Sequence, residues 1–169
     1  MRILFPAILC LLITACDGGL APPPPMELGF SGTIYFSPGT WPPPDSLLGL
    51  WVFASKVYPL DSAKVMAGLF QNPQTIFLYP GLNQSLSLVQ VDSLFYSFPL
   101  RSGSYKYVGI IQQVNPNFST QGIRVFRVVG FYKDSVQIFQ PGSVEVNDIE
   151  QTRGINIDVD FYNPPPQPF

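Results

Sequence analysis

The chain has 169 residues, a formal net charge of −2, 46% apolar residues and only 12% charged ones, about half the usual charged share. That composition excludes a disordered polymer, and nine scattered basic residues make no stripe for nucleic acid. With no histidine and two cysteines, a zinc site and a Cys–His nucleophile are excluded as well.

The first element is a leader. Met1-Arg2 gives a positive start, and Ile3 to Ile13 is an apolar run of eleven residues, too short to span a bilayer comfortably and suited to a signal-peptide core. Small residues Thr14 and Ala15 precede Cys16, and the polar Asp17-Gly18-Gly19 follows at once. Ile13-Thr14-Ala15-Cys16 resembles the lipobox of bacterial lipoproteins. The resemblance implies cleavage between Ala15 and Cys16, a covalent diacylglycerol on the Cys16 thiol and an N-acyl chain on its new amino group. Several acyl chains hold a protein in a bilayer where one alone is marginal. Cys10 would leave with the leader, so Cys16 would be the one cysteine of the mature chain, and an intrachain disulfide is excluded. The expected cofactors are therefore none beyond that lipid. The expected partners are the bilayer, through Cys16, and an envelope protein or glycan. The expected location is the bacterial cell envelope.

Residues 16–28 read as the lipidated cysteine and a tether. "GGLAPPPP" joins flexible glycines to a proline run that favours polyproline II, enough to hold a domain roughly 30 Å from the lipid. Residues 29–162 form the folded domain. Apolar runs punctuated by Pro, Gly, Asn and Asp predict strands over 30–36, 47–54, 74–79, 84–91, 93–98, 104–114, 123–132, 143–147 and 154–162. Between the second and third, Asp61 or Ser62 is placed to cap a short helix over "SAKVMAGLF". In the last strand Ile155, Ile157, Val159 and Phe161 alternate with Asn156, Asp158 and Asp160, one set facing the core and one facing water. Residues 163–169 are a proline-rich C-terminal tail. The fold class is all-β: one antiparallel sandwich of about seven to nine strands with one short helix.

"YSFPLRSGSYKYVGII" (residues 96–111) is similar to the F-x-L-x-P-G-x-Y-x-V signature of prealbumin-like (transthyretin-like) sandwiches, among them the carboxypeptidase regulatory-like modules of bacterial envelopes. Gly103 and Tyr105 match the family's turn glycine and edge-sealing tyrosine, and Ser102 stands where the family has proline. "SGTIYF" and "LWVFAS" look like its first two strands. The resemblance implies an accessory, binding or structural role.

Two constellations carry chemistry. Asn156, Asp158 and Asp160 offer a row of oxygens of the kind calcium takes, against which stands a plain solvated strand face. Trp41, in "GTWPPPDS", and Tyr58, Tyr79 and Tyr132, at strand ends, form a surplus of loop aromatics. Either they pack on the core and its prolines, or they stack on sugar rings as a carbohydrate-binding module at the cell surface. No nucleophile–base pair or phosphate-cradling loop is present, so the expected function is non-enzymatic.

Overall fold

The computed structural model describes residues 27–71, 74–134 and 140–168. The leader, Cys16 and most of the tether lie outside the described residues.

Nine strands follow in chain order among the described residues: β1 (Gly29–Phe36), β2 (Gly49–Ser55), β3 (Ile76–Tyr79), β4 (Ser93–Pro99), β5 (Gly103–Tyr105), β6 (Tyr107–Gln113), β7 (Phe126–Phe131), β8 (Val144–Val146) and β9 (Ile157–Val159). They form a three-stranded sheet β4-β1-β9, a four-stranded sheet β3-β2-β6-β7 and a small pair β5-β8. The all-β sandwich is what the strand pattern predicts. Its pairing is antiparallel throughout except at β1–β9, which runs parallel.

The main core lies between the two larger sheets. Phe30, Ile34 and Phe36 of β1 and Ile157 and Val159 of β9 meet Leu50, Val52, Val108 and Ile110 of the opposite sheet. A second core lies on the outer side of the four-stranded sheet. There Trp51, Phe53, Tyr107, Ile111, Val128 and Phe131 pack under Leu60, Val65 and Ile123. The cover comes from helix α1 (Ser62–Met66), continued by a wider turn over Ala67–Gln71, and from α2 (Phe118–Gln121) with its 3-10 extension Gly122–Val125. The Asp61 carboxylate caps α1, accepting from the Lys64 N–H at 2.8 Å. This double coverage explains why β2 and β6 read as nearly unbroken apolar runs, the pattern of strands buried on both faces.

Three expectations change in detail. Residues 84–91 form no ladder. The Ser85 hydroxyl takes the Leu50 N–H at 3.0 Å, Leu86 N–H donates to Leu50 O at 2.8 Å, and the chain then crosses to the other sheet. Residues 122–125 are helical, so the predicted strand over 123–132 begins at Phe126. Gly103, with φ +146°, turns a corner from β4 in one sheet towards β6 in the other rather than closing a hairpin between them. Tyr105 is fully buried and its hydroxyl donates to Arg101 O at 2.8 Å.

The two long sides of the sandwich differ. On one, β9 meets β7: Asp160 N–H donates to Val129 O at 3.3 Å, and Gly130 is required because a Cβ there would overlap the Asp158 carbonyl. The C-terminal tail then covers β7. Gln167 Oε1 accepts the Val128 N–H at 2.8 Å and its Nε2 donates to Val128 O at 3.0 Å, so one side-chain amide replaces one residue of a neighbouring strand. On the other side β4 and β3 are edges, in contact through the Tyr79 and Phe98 rings 5.4 Å apart.

Candidate functional site: the uncovered face of the three-stranded sheet

Among the described residues, the four-stranded sheet is covered on both faces and the sheet β4-β1-β9 on one. Its inward positions carry Phe30, Ile34, Phe36, Tyr96 and Phe98. Its outward positions follow from the register. Ser31 lies opposite Ser97, Thr33 opposite Phe95, and Tyr35 between Ser93 and Asp158. The result is a surface of hydroxyl, amide and carboxylate groups holding two aromatic rings. Phe95 is 69% exposed and Tyr35 is 47% exposed. They are diagonal neighbours on adjacent strands, a spacing of about 7–8 Å.

A bulge shapes this face. Ser31 N–H donates to Thr152 O at 2.8 Å and Ser31 O accepts from Ile155 N–H at 3.1 Å. Regular parallel pairing would place those partners two residues apart; here they are three apart, so residue 153 or 154 is extra. Gly154 supplies the conformation with φ +79°. The ladder resumes through a side chain, with the Thr33 N–H donating to Asn156 Oδ1 at 2.9 Å. Gly32 lets the returning backbone pass, since a Cβ there would overlap the Ile155 carbonyl. The bulge leaves a depression of about 380 Å³ bordered by Thr33, Phe95, Gln151, Arg153 and Asn156. Gln151 closes its far end, its Nε2 donating to Ser97 Oγ at 2.8 Å over the buried Ser31.

The sequence-predicted residues fall as follows. The alternation of the last strand is observed: Ile155, Ile157, Val159 and Phe161 are buried, and Asn156 and Asp158 face outward. The three oxygen donors do not converge. Asn156 Oδ1 is bonded to Thr33. Asp158 is exposed beside Tyr35. Asp160 Oδ1 accepts the N–H groups of Asn163 and Tyr162 at 2.9 and 2.8 Å, which turns the chain into the tail. Those bonds, the Asn163 amide first, hold the Asp160 carboxyl below its ordinary range. Among the described residues no group of three or more His, Cys, Asp or Glu side chains is placed to hold a metal ion.

The four loop aromatics are also apart. Trp41 packs at 4.6 Å on Phe36 and 5.2 Å on Phe161, and its Nε1–H donates to Val91 O at 3.3 Å. Tyr79 lies on Phe98 and Tyr132 against the main core. Tyr58 is exposed beside Tyr107, past the far end of β2 from Trp41. Seven strand residues, roughly 20 Å, separate those two ends. Trp41 and Tyr58 therefore share no platform. The aromatics that do share a face are Tyr35 and Phe95. Their signal was the period of two: in "FSGTIYF" and "SLFYSF" each is the aromatic out of step with its buried neighbours.

Comparison with protein-family models, with curated proteins and with solved structures finds no match to this chain.

Proposed function

We propose that this chain is a non-enzymatic, lipid-anchored protein of the bacterial cell envelope, held through Cys16, with a binding or structural role. The outer face of β4-β1-β9 serves as its recognition surface. The observation that supports this reading is the asymmetry of cover. Among the described residues every other broad sheet face is packed against a second layer, and this one keeps two large aromatic rings in water among hydroxyl and amide groups. Tyrosine is enriched at interfaces, and apolar surface rimmed by polar residues marks interaction sites. The same chemistry favours a carbohydrate as one ligand class, with Tyr35 and Phe95 as stacking rings in place of the loop aromatics, and Arg153 and Gln151 as bordering polar groups.

The test is made on the full chain expressed in a bacterial host. Wild type is expected in the membrane fraction and Cys16→Ser in the soluble fraction. Wild type is also expected to co-sediment with isolated peptidoglycan sacculi. Tyr35→Ala should lose that retention with its melting temperature unchanged, because the ring is half exposed and outside both cores. A Cys16→Ser chain that stays membrane-bound overturns the anchor. Retention unaffected by Tyr35→Ala overturns the assignment of the face.

A further inference from the structure

We infer that the free edge of β4 is a self-association site, at which a second copy of this chain adds its own β4 antiparallel to extend the sheet across both molecules. The backbone bonds define the edge. Phe36 N–H donates to Asp92 O at 2.9 Å and Leu100 N–H to Leu28 O at 3.3 Å, at the two ends of the β1–β4 ladder. In an antiparallel pair the bonded residues alternate. With the register that sets Ile34 against Leu94 and Phe30 against Phe98, the bonds to β1 come from Leu94, Tyr96 and Phe98. Ser93, Phe95 and Ser97 therefore turn both their N–H and C=O groups to the free edge, and among the described residues no partner meets them there.

Such an edge attracts other strands, and soluble proteins blunt it with charge, proline, bulges or a covering segment. The β7 side of this molecule is blunted in that manner, by Asp160, Gln167 and the prolines of the tail. β4 carries no charged residue, no bulge, and a proline only at its last position. Among the described residues the neighbouring edge of the four-stranded sheet, β3, is four residues long.

The occupant follows from the symmetry of the strand. Pairing β4 with a two-fold copy centred on Phe95 sets Ser93 against the second copy's Ser97 and Phe95 against its own equivalent. All three outward residues then bond at once, with no like charges opposed. The aromatic side chains meet directly across the new pair, the favourable arrangement for a cross-strand contact. The joined faces carry Tyr35 and Phe95 from each copy. A strand pair of this length buries less than a stand-alone interface of about 1,200 Å². Anchoring at a bilayer supplies the missing affinity by raising the effective concentration, and this part of the inference rests on the anchor proposed above.

The test is cysteine crosslinking of the full chain in native membranes, with wild type as the background. Paired residues stand about 5.5 Å apart at Cα, within disulfide reach, whereas two copies of position 93 lie four residues out of register, roughly 13 Å. Co-expressed Ser93→Cys and Ser97→Cys chains should give a disulfide-linked dimer, Phe95→Cys alone should give one, and Ser93→Cys alone should give only background. Adding Ser93→Pro to Phe95→Cys removes one outward N–H and no bond to β1, so the crosslink should be lost while thermal unfolding is unchanged. Equal crosslinking of Ser93→Cys alone and of the mixed pair overturns the inference. So does absence of the Phe95→Cys dimer, or a product whose mass is that of another protein. Membrane co-sedimentation of the same samples reads the anchor separately.

Discussion

Removing the Gln167 carboxamide tests how the sheet is closed on its sealed side. Gln167→Ala deletes both bonds to Val128, a residue with no exposed surface, and strands its N–H and C=O. Two hydrogen bonds at about 0.5–1.5 kcal/mol each set a loss of roughly 1–3 kcal/mol. The released tail recovers little entropy to offset that, because Pro164, Pro165 and Pro166 already restrict it in the free chain. For a domain of this size each kcal/mol moves the melting temperature by about 2–4 °C, so a fall of several degrees is expected. Amide hydrogen exchange localises the effect: Val128 should lose protection while Val52 in mid-sheet keeps it. Gln167→Glu should fail to rescue, since its second oxygen faces the Val128 carbonyl. If Val128 stays protected in Gln167→Ala and the melting temperature does not move, the tail is not a surrogate strand and the reasoning fails.

Other outcomes follow from the same geometry. Trp41→Ala should cost about 3 kcal/mol in urea unfolding, as for other large aromatics packed on a core, because the indole lies on Phe36 and Phe161; a loss under about 1 kcal/mol would return Trp41 to the surface as a free stacking ring. Gly32→Ala should destabilise by roughly 1–3 kcal/mol or more, forcing Ile155 off β1, whereas Gly81→Ala, with open space around it, serves as the neutral control. Burial holds the Tyr96 and Tyr107 phenols above their ordinary range. Above pH of about 10 the unfolded chain therefore loses protons that the folded chain keeps, and stability should fall by up to about 1.4 kcal/mol per pH unit for each tyrosine, with no contribution below that pH. Tyr96→Phe should shallow that slope in denaturant titrations between pH 9 and 11; an unchanged slope would show that the Tyr96 phenol is not what resists ionisation.

The sandwich was legible because its strands carry their signals locally. Eight of the nine runs bounded by Pro and Gly hold a strand, the run 104–114 breaking into β5 and β6 of different sheets, and the period of two in Ile155–Phe161 set the inward face of β9. What was not legible depends on partners distant in sequence. The run 84–91 has strand composition, but a serine hydroxyl takes the place of its ladder bond. β9 pairs parallel with a strand more than a hundred residues earlier, and no local pattern encodes that. The candidate face was hidden for a related reason. Tyr35 and Phe95 lie sixty residues apart, and only the β1–β4 register shows that they share a surface. For Trp41 the sequence left core packing and exposure both open, because a proline-rich context suits either; the Phe36 and Phe161 rings, from two other segments, decide for packing.

The unequal sides of the sandwich connect these observations. A two-sheet β-fold must do something with four edges. This chain joins two of them through Asp160 and Val129 and covers β7 with a side-chain amide held at the end of a proline-stiffened tail. Closing the opposite side in the same manner would take one more strand, or charges along β4. The crossover over 84–91 passes near enough to bond Leu50 and accept from Trp41, and its sequence is rich in residues that pair as strands, but among the described residues the outer edge of β4 stays unpaired. An edge left uncharged beside one sealed with such care is a liability for a protein free in solution. Were the chain held at a bilayer as proposed above, that edge would become a contact whose strength is set by crowding there, and pairing would present twice the aromatic face that one copy offers.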